Sequence, residues 1–187
     1  MPPIKHWLVA LFLISTSSAP ILASTIGLST WYEFGFDPDH SPLAAGCQPT
    51  DPAGVPCRTG ISSTFLGSSP WTITTDSPVE ITITDAFLAG DFFDVFDFGV
   101  LAGSTPSVGS NGASCGLDPS VCVNAAGISH ASFALAAGAH SITVGVHEAQ
   151  ILGEGFFRLD TVPEPSTFGL MIVLPALLLC WRRLVSS

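Results

Sequence analysis

Three aspartates recur at three-residue spacing near the middle of the chain and are the first residues whose type suggests chemistry. They are Asp91, Asp94 and Asp97. A hard cation such as Ca²⁺ needs several oxygen ligands that converge on one point. The spacing and glycine of an EF-hand loop are absent, and a three-residue spacing along a strand sends side chains to opposite faces. Solvated carboxylates near strand ends are therefore the favoured interpretation; Ca²⁺ held by these residues is the alternative, and no cofactor is predicted.

Two tryptophans in the central part of the chain are the second set of candidates. On an exposed sheet face, the indoles of Trp31 and Trp71 could stack against sugar rings. Large aromatic side chains also anchor hydrophobic cores, and that interpretation is favoured for both. Glycan stacking by Trp31 and Trp71 is kept as the alternative.

Signals for enzymatic catalysis are poor. His147-Glu148 begins like the helix of a metalloprotease but lacks the second histidine. Ser129-His130 lacks the G-x-S-x-G elbow of a serine hydrolase. Fifteen acidic residues give no reason to select one pair as a glycosidase site. We expect a protein that is not an enzyme, with His130, His140 and His147 at the surface or in turns.

The regular elements that must position these residues have the two-residue period of β-strands. Apolar and polar residues alternate over 79–84 and again over 141–146. Weaker strand patterns cover 30–36, 71–75, 92–98, 130–135 and 156–162. Glycine-rich turns separate them, and no central segment sustains helical spacing. The sequence predicts an all-β ectodomain over 24–161, an antiparallel β-sandwich or jelly roll.

Charge excludes one class of partner. Five Lys and Arg face fifteen Asp and Glu, for a formal net charge of −10. Nucleic-acid binding needs clustered basic residues, so no nucleic acid is expected. A mean hydropathy of +0.53 is too high for a disordered acidic chain.

The N-terminus has the plan of a secretory signal. Lys5 precedes an apolar run over 7–14, and small residues follow as far as Ala23. We expect 1–23 to be a signal peptide, which forms a helix during export and is removed after Ala23.

Four cysteines lie in the domain predicted to be exported, and a fifth, Cys180, lies in the apolar tail. An even number in an exported domain favours two disulfides. Of three pairings, Cys47–Cys57 and Cys115–Cys122 are favoured because each pair brackets a loop rich in proline or glycine. A zinc site is the alternative, but neither spacing is that of a zinc knuckle.

The C-terminus, 162–187, has three parts in order. Pro163-Glu164-Pro165 forms an extended connector because its prolines fit neither a helix nor a central strand. The apolar segment 168–181 would rise about 21 Å as a single transmembrane helix, short of a hydrocarbon core of roughly 30 Å. Arg182 and Arg183 would hold its end on the cytoplasmic side.

This tail resembles the C-terminal sorting signal of PEP-CTERM proteins. The segments 31–36, 79–99 and 133–144 are also similar to a recurrent ectodomain of that family. The resemblance implies Sec export in Gram-negative bacteria that make exopolysaccharide. It also implies that an exosortase, a membrane cysteine protease, recognises Pro163-Glu164-Pro165 and removes the tail. A plain C-terminal membrane anchor is the alternative.

Together these features predict an exported, non-enzymatic protein of the cell surface or extracellular matrix. Its precursor would be anchored in the inner membrane and would then be transferred to the surface or released. Exopolysaccharide is a further expected partner. The alternative function is an adhesion module of the jelly-roll type that binds carbohydrate or calcium.

Overall fold

The computed structural model describes residues 23–40, 42–147 and 152–162, and there the chain is mostly β-strand. The strands are β1 Ser24–Thr25, β2 Trp31–Phe36, β3 Ser63–Phe65, β4 Trp71–Thr75, β5 Val79–Asp85, β6 Phe87–Leu88, β7 Phe92–Asp97, β8 Val100–Ser104, β9 Ser114–Gly116, β10 His130–Leu135, β11 Gly138–His147 and β12 Gly153–Thr161. One short helix, α1, spans Pro119–Cys122. The predicted all-β class is confirmed.

The strands form two five-stranded sheets and one small pair. The first sheet has the order β1-β4-β11-β7-β8, the second β10-β5-β12-β2-β3, and β6 pairs with β9. The expectation of purely antiparallel sheets is wrong at two edges, where β1 pairs with β4 and β2 with β3 in parallel. Parallel pairing requires a long crossover, and the connection 37–62 between β2 and β3 supplies one.

The alternation of apolar and polar residues in the sequence matches the buried and exposed faces of the strands. In β5, Val79, Ile81 and Ile83 are fully buried while Glu80 is exposed. Side chains from both sheets meet in one cluster: the Phe34 ring of β2 lies 5.9 Å from the Trp71 ring of β4, centroid to centroid. The two large sheets therefore share a hydrophobic core.

The second sheet also buries part of its other face. Trp31 and Phe156 on that face pack with residues of the segment 105–128, which carries β9 and α1 and is called the covering loop below; Ile128 is among them. This long segment of the chain therefore covers a face of the second sheet that would otherwise contact water. This cover makes buried carboxylates on the same face costly unless they find partners.

Both predicted disulfides are confirmed. The bonds join Cys47 to Cys57 and Cys115 to Cys122. Disulfides form and persist mainly in oxidising compartments outside the cytosol, so the two bonds point to an oxidising, extracellular environment. Their sulfur atoms bond to each other, which removes them as zinc ligands.

Replacing Cys47 and Cys57 together with alanine is expected to lower the free energy of unfolding by about 2–3 kcal/mol, because the bond closes a short loop in the unfolded chain. Denaturant titration under non-reducing conditions measures the loss. Cys180→Ala, which removes a cysteine that takes part in neither bond, is the control. An unchanged midpoint in the double variant would contradict the prediction.

The described ranges contain no helix of the length and apolarity needed to cross a bilayer. The predicted apolar segment 168–181, the Pro163-Glu164-Pro165 motif and Arg182-Arg183 lie outside the described residues, as does the signal peptide up to residue 22.

Candidate functional site

Two glutamates lie buried on the covered face of the second sheet. In the register of β12 against β2, Phe156 is opposite Glu33 and Glu154 is opposite Gly35. Glu33 and Glu154 are therefore diagonal neighbours on one face. Glu33 is 0% exposed and Glu154 is 8% exposed.

Each glutamate uses one oxygen to hold the segment 58–63 against the sheet. Glu33 Oε2 accepts hydrogen bonds from the backbone N–H of Gly60 at 3.0 Å and from the Ser63 hydroxyl at 2.8 Å. Glu154 Oε1 accepts from the backbone N–H of Arg58 at 2.7 Å. The other oxygens, Glu33 Oε1 and Glu154 Oε2, are buried without a hydrogen-bond partner among the described residues. Leaving such a group unsatisfied costs about 1–3 kcal/mol or more for each oxygen.

Burial controls the protonation of both side chains. Loss of solvation raises the pKa of Glu33 to about 7, helped by the nearby charge of Glu154 and opposed by the hydrogen bonds from Ser63 and Gly60. Burial also raises the pKa of Glu154, against the backbone N–H and the positive charge of Arg58. Glu33 is therefore protonated part of the time near neutral pH.

A third carboxyl group, Asp85, lies at the end of β5 nearest these glutamates. Gly155 of β12 pairs with Asp85 on one side and with Phe34 on the other. Asp85 is 1% exposed, and burial together with the charge of Asp91 raises its pKa to about 8. The backbone N–H groups of Ala86 and Asp91 donate to its two oxygens at 2.8 and 3.3 Å.

A cavity of about 700 Å³ opens beside Glu154. Its walls are the turn 86–91 after β5, residues 110 and 112 of the covering loop, the start of β12 at 152–154, and Arg58. Sites for small molecules in proteins typically occupy about 300–1,000 Å³. The cavity is therefore large enough for a small organic ligand.

The turn that forms one wall has an unusual backbone. Phe87 has φ +64°, in the left-handed region that a bulky residue rarely adopts, and the pairing of β6 with β9 shifts register between Phe87 and Leu88. The Arg58 guanidinium lies over the Phe87 ring, 4.5 Å from its centroid. This contact places a cation and an aromatic side chain side by side at the cavity wall.

The aspartates predicted as metal candidates do not come together. Asp94 accepts from the Ser104 hydroxyl and contacts His147 Nε2 at 2.8 Å. Asp97 contacts His140 Nδ1 at 2.8 Å, and three positions along β7 turn it to the face opposite Asp94. Asp91 lies at the cavity wall instead.

Within the described ranges, three potential metal-ligating atoms approach one another only at Glu33, Cys47 and Cys57, which lie within 4.8 Å. Both cysteines of that group are in the disulfide, so Glu33 alone retains a free ligand atom.

The histidines divide between surface and interior. His147 is exposed and stacks on Phe92, with ring centroids 4.4 Å apart, and His130 is half-buried. The expectation of a surface or turn position is wrong for His140, which is 5% exposed because its ring nitrogens contact Asp97 and the Ala136 carbonyl.

A serine, an aspartate and a histidine meet on the outer face of the first sheet, in the order Ser104, Asp94, His147. In a catalytic triad the histidine lies between the other two and takes the serine proton. Here the aspartate is central and the Ser104 hydroxyl donates to Asp94 instead of to the histidine, so the arrangement differs from that of a triad.

Neither tryptophan offers an open indole face, so the glycan-stacking alternative is wrong for both. Trp71 is 0% exposed, and its Nε1–H donates to the Gly67 carbonyl at 2.9 Å. Trp31 is 8% exposed, and the Arg158 guanidinium lies 4.8 Å from its ring centroid. The favoured interpretation, that both are core residues, is confirmed.

Comparison with protein-family models, with curated proteins and with solved structures finds no match to this chain. The site must therefore be interpreted from its own residues. Sequence reasoning missed Glu33, Arg58, Asp85 and Glu154. The one available signal was Glu33 itself, a lone acid within the aromatic run 31–36.

Proposed function

We propose that the protein is an exported, non-enzymatic β-sandwich protein of the cell surface or extracellular matrix. The observation that carries this proposal is the order of Pro163-Glu164-Pro165, an apolar segment and Arg182-Arg183 at the C-terminus. The two disulfides support it, since they indicate an oxidising compartment. Its expected partners are the Sec machinery, an exosortase and, at its destination, exopolysaccharide.

The proposed sorting has two stages, retention at the membrane and then release by cleavage. The apolar segment 168–181 would keep the folded domain beside the inner membrane while a membrane protease finds the motif. The motif begins directly after Val162, and Val162 still donates its N–H to the Pro78 carbonyl at 3.1 Å. Cleavage would remove the apolar surface that anchors the protein and free it for transfer or release.

Replacing Pro163, Glu164 and Pro165 with alanine is expected to abolish processing, because a protease that recognises the Pro-Glu-Pro sequence loses its recognition element. The uncut chain, heavier by its tail, should accumulate in the membrane fraction of the producing bacterium. Immunoblots of membrane, surface and medium fractions measure this.

The matched control replaces Ser166 and Thr167, which adjoin the motif, with alanine. Normal processing is expected there. Equal processing of the motif variant and wild type would overturn the sorting proposal.

A further inference from the structure

The outer strands of the two large sheets differ in length from one side of the molecule to the other. β1 and β3, with two and three residues, end the sheets on one side, and β8 and β10, with five and six, end them on the other. β8 and β10 lie next to each other, because the Phe133 ring of β10 packs so closely on Gly103 of β8 that a β-carbon there would overlap it. A strand at a sheet edge presents a row of unpaired N–H and C=O groups. Among the described residues, the side formed by β8 and β10 therefore offers the longest edges for pairing with another strand.

Of these two edges, β8 is the more open. Its residues have no backbone hydrogen bond to any described residue outside β7. Val100 and Leu101 of β8 are 70% and 53% exposed, and Phe98 in the preceding turn is 65% exposed. The two large apolar side chains of β10 instead pack against the core. Proteins usually protect an edge strand with charged residues or proline, and the segment 98–104 contains neither.

The charge distribution favours a second copy of the chain as the occupant of this edge. The chain carries a formal net charge of −10, so two copies repel each other where their acidic residues meet. The segment 98–104 has no ionisable side chain, and the neighbouring edge β10 has only His130. On the adjacent strand β7, Asp94 and Asp97 each contact a histidine. Two copies can therefore approach through this edge without placing carboxylates opposite each other.

The strand itself also matches a second copy. A two-fold axis beside β8 would place the strand antiparallel to the same strand of the other copy, so that unpaired N–H and C=O groups match in number and spacing. The exposed apolar side chains of the two copies would pack across this axis and leave water. A charged segment of another protein would find no opposite charge on 98–104.

We propose that two copies of this chain associate through β8, which pairs antiparallel with β8 of the second copy. The pairing joins the two five-stranded first sheets into one continuous sheet. This self-association goes beyond the proposed sorting and surface role and does not depend on cleavage of the tail.

The test is sedimentation equilibrium of the full chain in a density-matched detergent, from about 1 to 200 µM. All samples carry Cys180→Ala, so that the tail cannot form a disulfide between copies. The chain should show a monomer–dimer equilibrium, and the dimer fraction should rise with concentration. Raising NaCl from about 50 to 500 mM should not dissociate the dimer, because salt screens ion pairs but not apolar contacts. A monomer at every concentration, or a dimer that dissociates in salt, overturns the proposal.

One variant locates the interface. Leu101→Glu places a carboxylate on β8 of each copy and should weaken self-association by about tenfold or more. The matched control is Leu88→Glu on β6, the same substitution at a leucine of almost equal exposure, 52% against 53%, which should associate as wild type. Circular dichroism verifies that each variant is folded, and should Leu101→Glu fail to fold, Val100→Glu decides the question. Association that survives the β8 variant, or that Leu88→Glu weakens equally, overturns the assignment to β8.

Hydrogen–deuterium exchange provides a second readout. The amides of 98–104 should exchange more slowly at high than at low protein concentration, and this difference should vanish in Leu101→Glu. Slow exchange of all these amides in a monomer would mean that another segment, such as the tail 163–187, covers the edge, and it would overturn the assignment to a second copy. Failure here leaves the sorting proposal standing, since processing is measured separately in cells.

Discussion

Replacing Glu33 by glutamine is expected to stabilise the chain above pH 7 and to change its stability little below pH 4.5. Burial raises the pKa of Glu33 from 4.5 to about 7. Between these values the folded state holds a proton that the unfolded state releases, so wild-type stability falls as pH rises through that window. Each tenfold change in proton affinity is worth about 1.4 kcal/mol, which gives a total of roughly 3 kcal/mol.

Glutamine avoids this loss because it stays neutral at every pH. Its carbonyl oxygen can still accept from the N–H of Gly60 and the hydroxyl of Ser63, as Glu33 Oε2 does. Asp85 contributes a loss of the same sign that extends to about pH 8, where its folded-state pKa lies. That part should remain in the Glu33→Gln variant.

Urea titrations at a series of pH values measure the effect. The matched control is Glu80→Gln, the same substitution at an exposed position of β5, which should follow wild type throughout. A difference between Glu33→Gln and wild type that is constant from pH 4 to pH 8 would show that Glu33 does not titrate in this window.

Trp71→Ala is expected to lower the free energy of unfolding by about 3–5 kcal/mol, the usual cost of deleting a large buried aromatic side chain. The Trp71 ring lies 5.1 Å from that of Phe157 and 5.9 Å from that of Phe34, centroid to centroid, so it joins strands of both sheets. The substitution leaves a cavity at the centre of the shared core and also removes the hydrogen bond to Gly67.

Denaturant titration at fixed pH gives the loss directly. Trp71→Phe, which keeps an aromatic ring but not the indole N–H, should lose less than Trp71→Ala. Trp31→Ala is the positional control, because Trp31 belongs to the smaller cluster under the covering loop. A loss below about 1 kcal/mol for Trp71→Ala would mean that the core does not depend on this ring.

Much of the sheet framework was predictable because one face of most strands is buried. The alternation at Val79, Ile81 and Ile83 reports that burial directly, and the pattern over 71–75 coincides with β4. The disulfides were predictable for a different reason: the partners lie only ten and seven residues apart, and each pair brackets a segment rich in proline or glycine.

The candidate site was not predictable because tertiary folding creates it. Alternation places Glu33 on the same face of β2 as Trp31 and Gly35, but the run 31–36 does not indicate what covers that face. Parts of the connection 37–62 and of the segment 105–128, both rich in proline and glycine, fold over that face. The residues that neighbour Glu33 and Glu154 in the sequence carry no signal of this tertiary contact. His140 was misplaced for the same reason, since its partner Asp97 lies 43 residues away.

The position of β12 has a mechanical consequence. It runs between β5 and β2, with seven residue pairs to one and five to the other, and the chain leaves it at Thr161 toward the C-terminus. Ladder hydrogen bonds lie perpendicular to the strands, so tension applied through the tail would load both ladders in shear at once. A tether attached to an edge strand would instead peel its bonds apart one by one. Tension would also enter at Thr161, the end of β12 that is about 24 Å from Glu154, and the cavity lies at the opposite end of the strand.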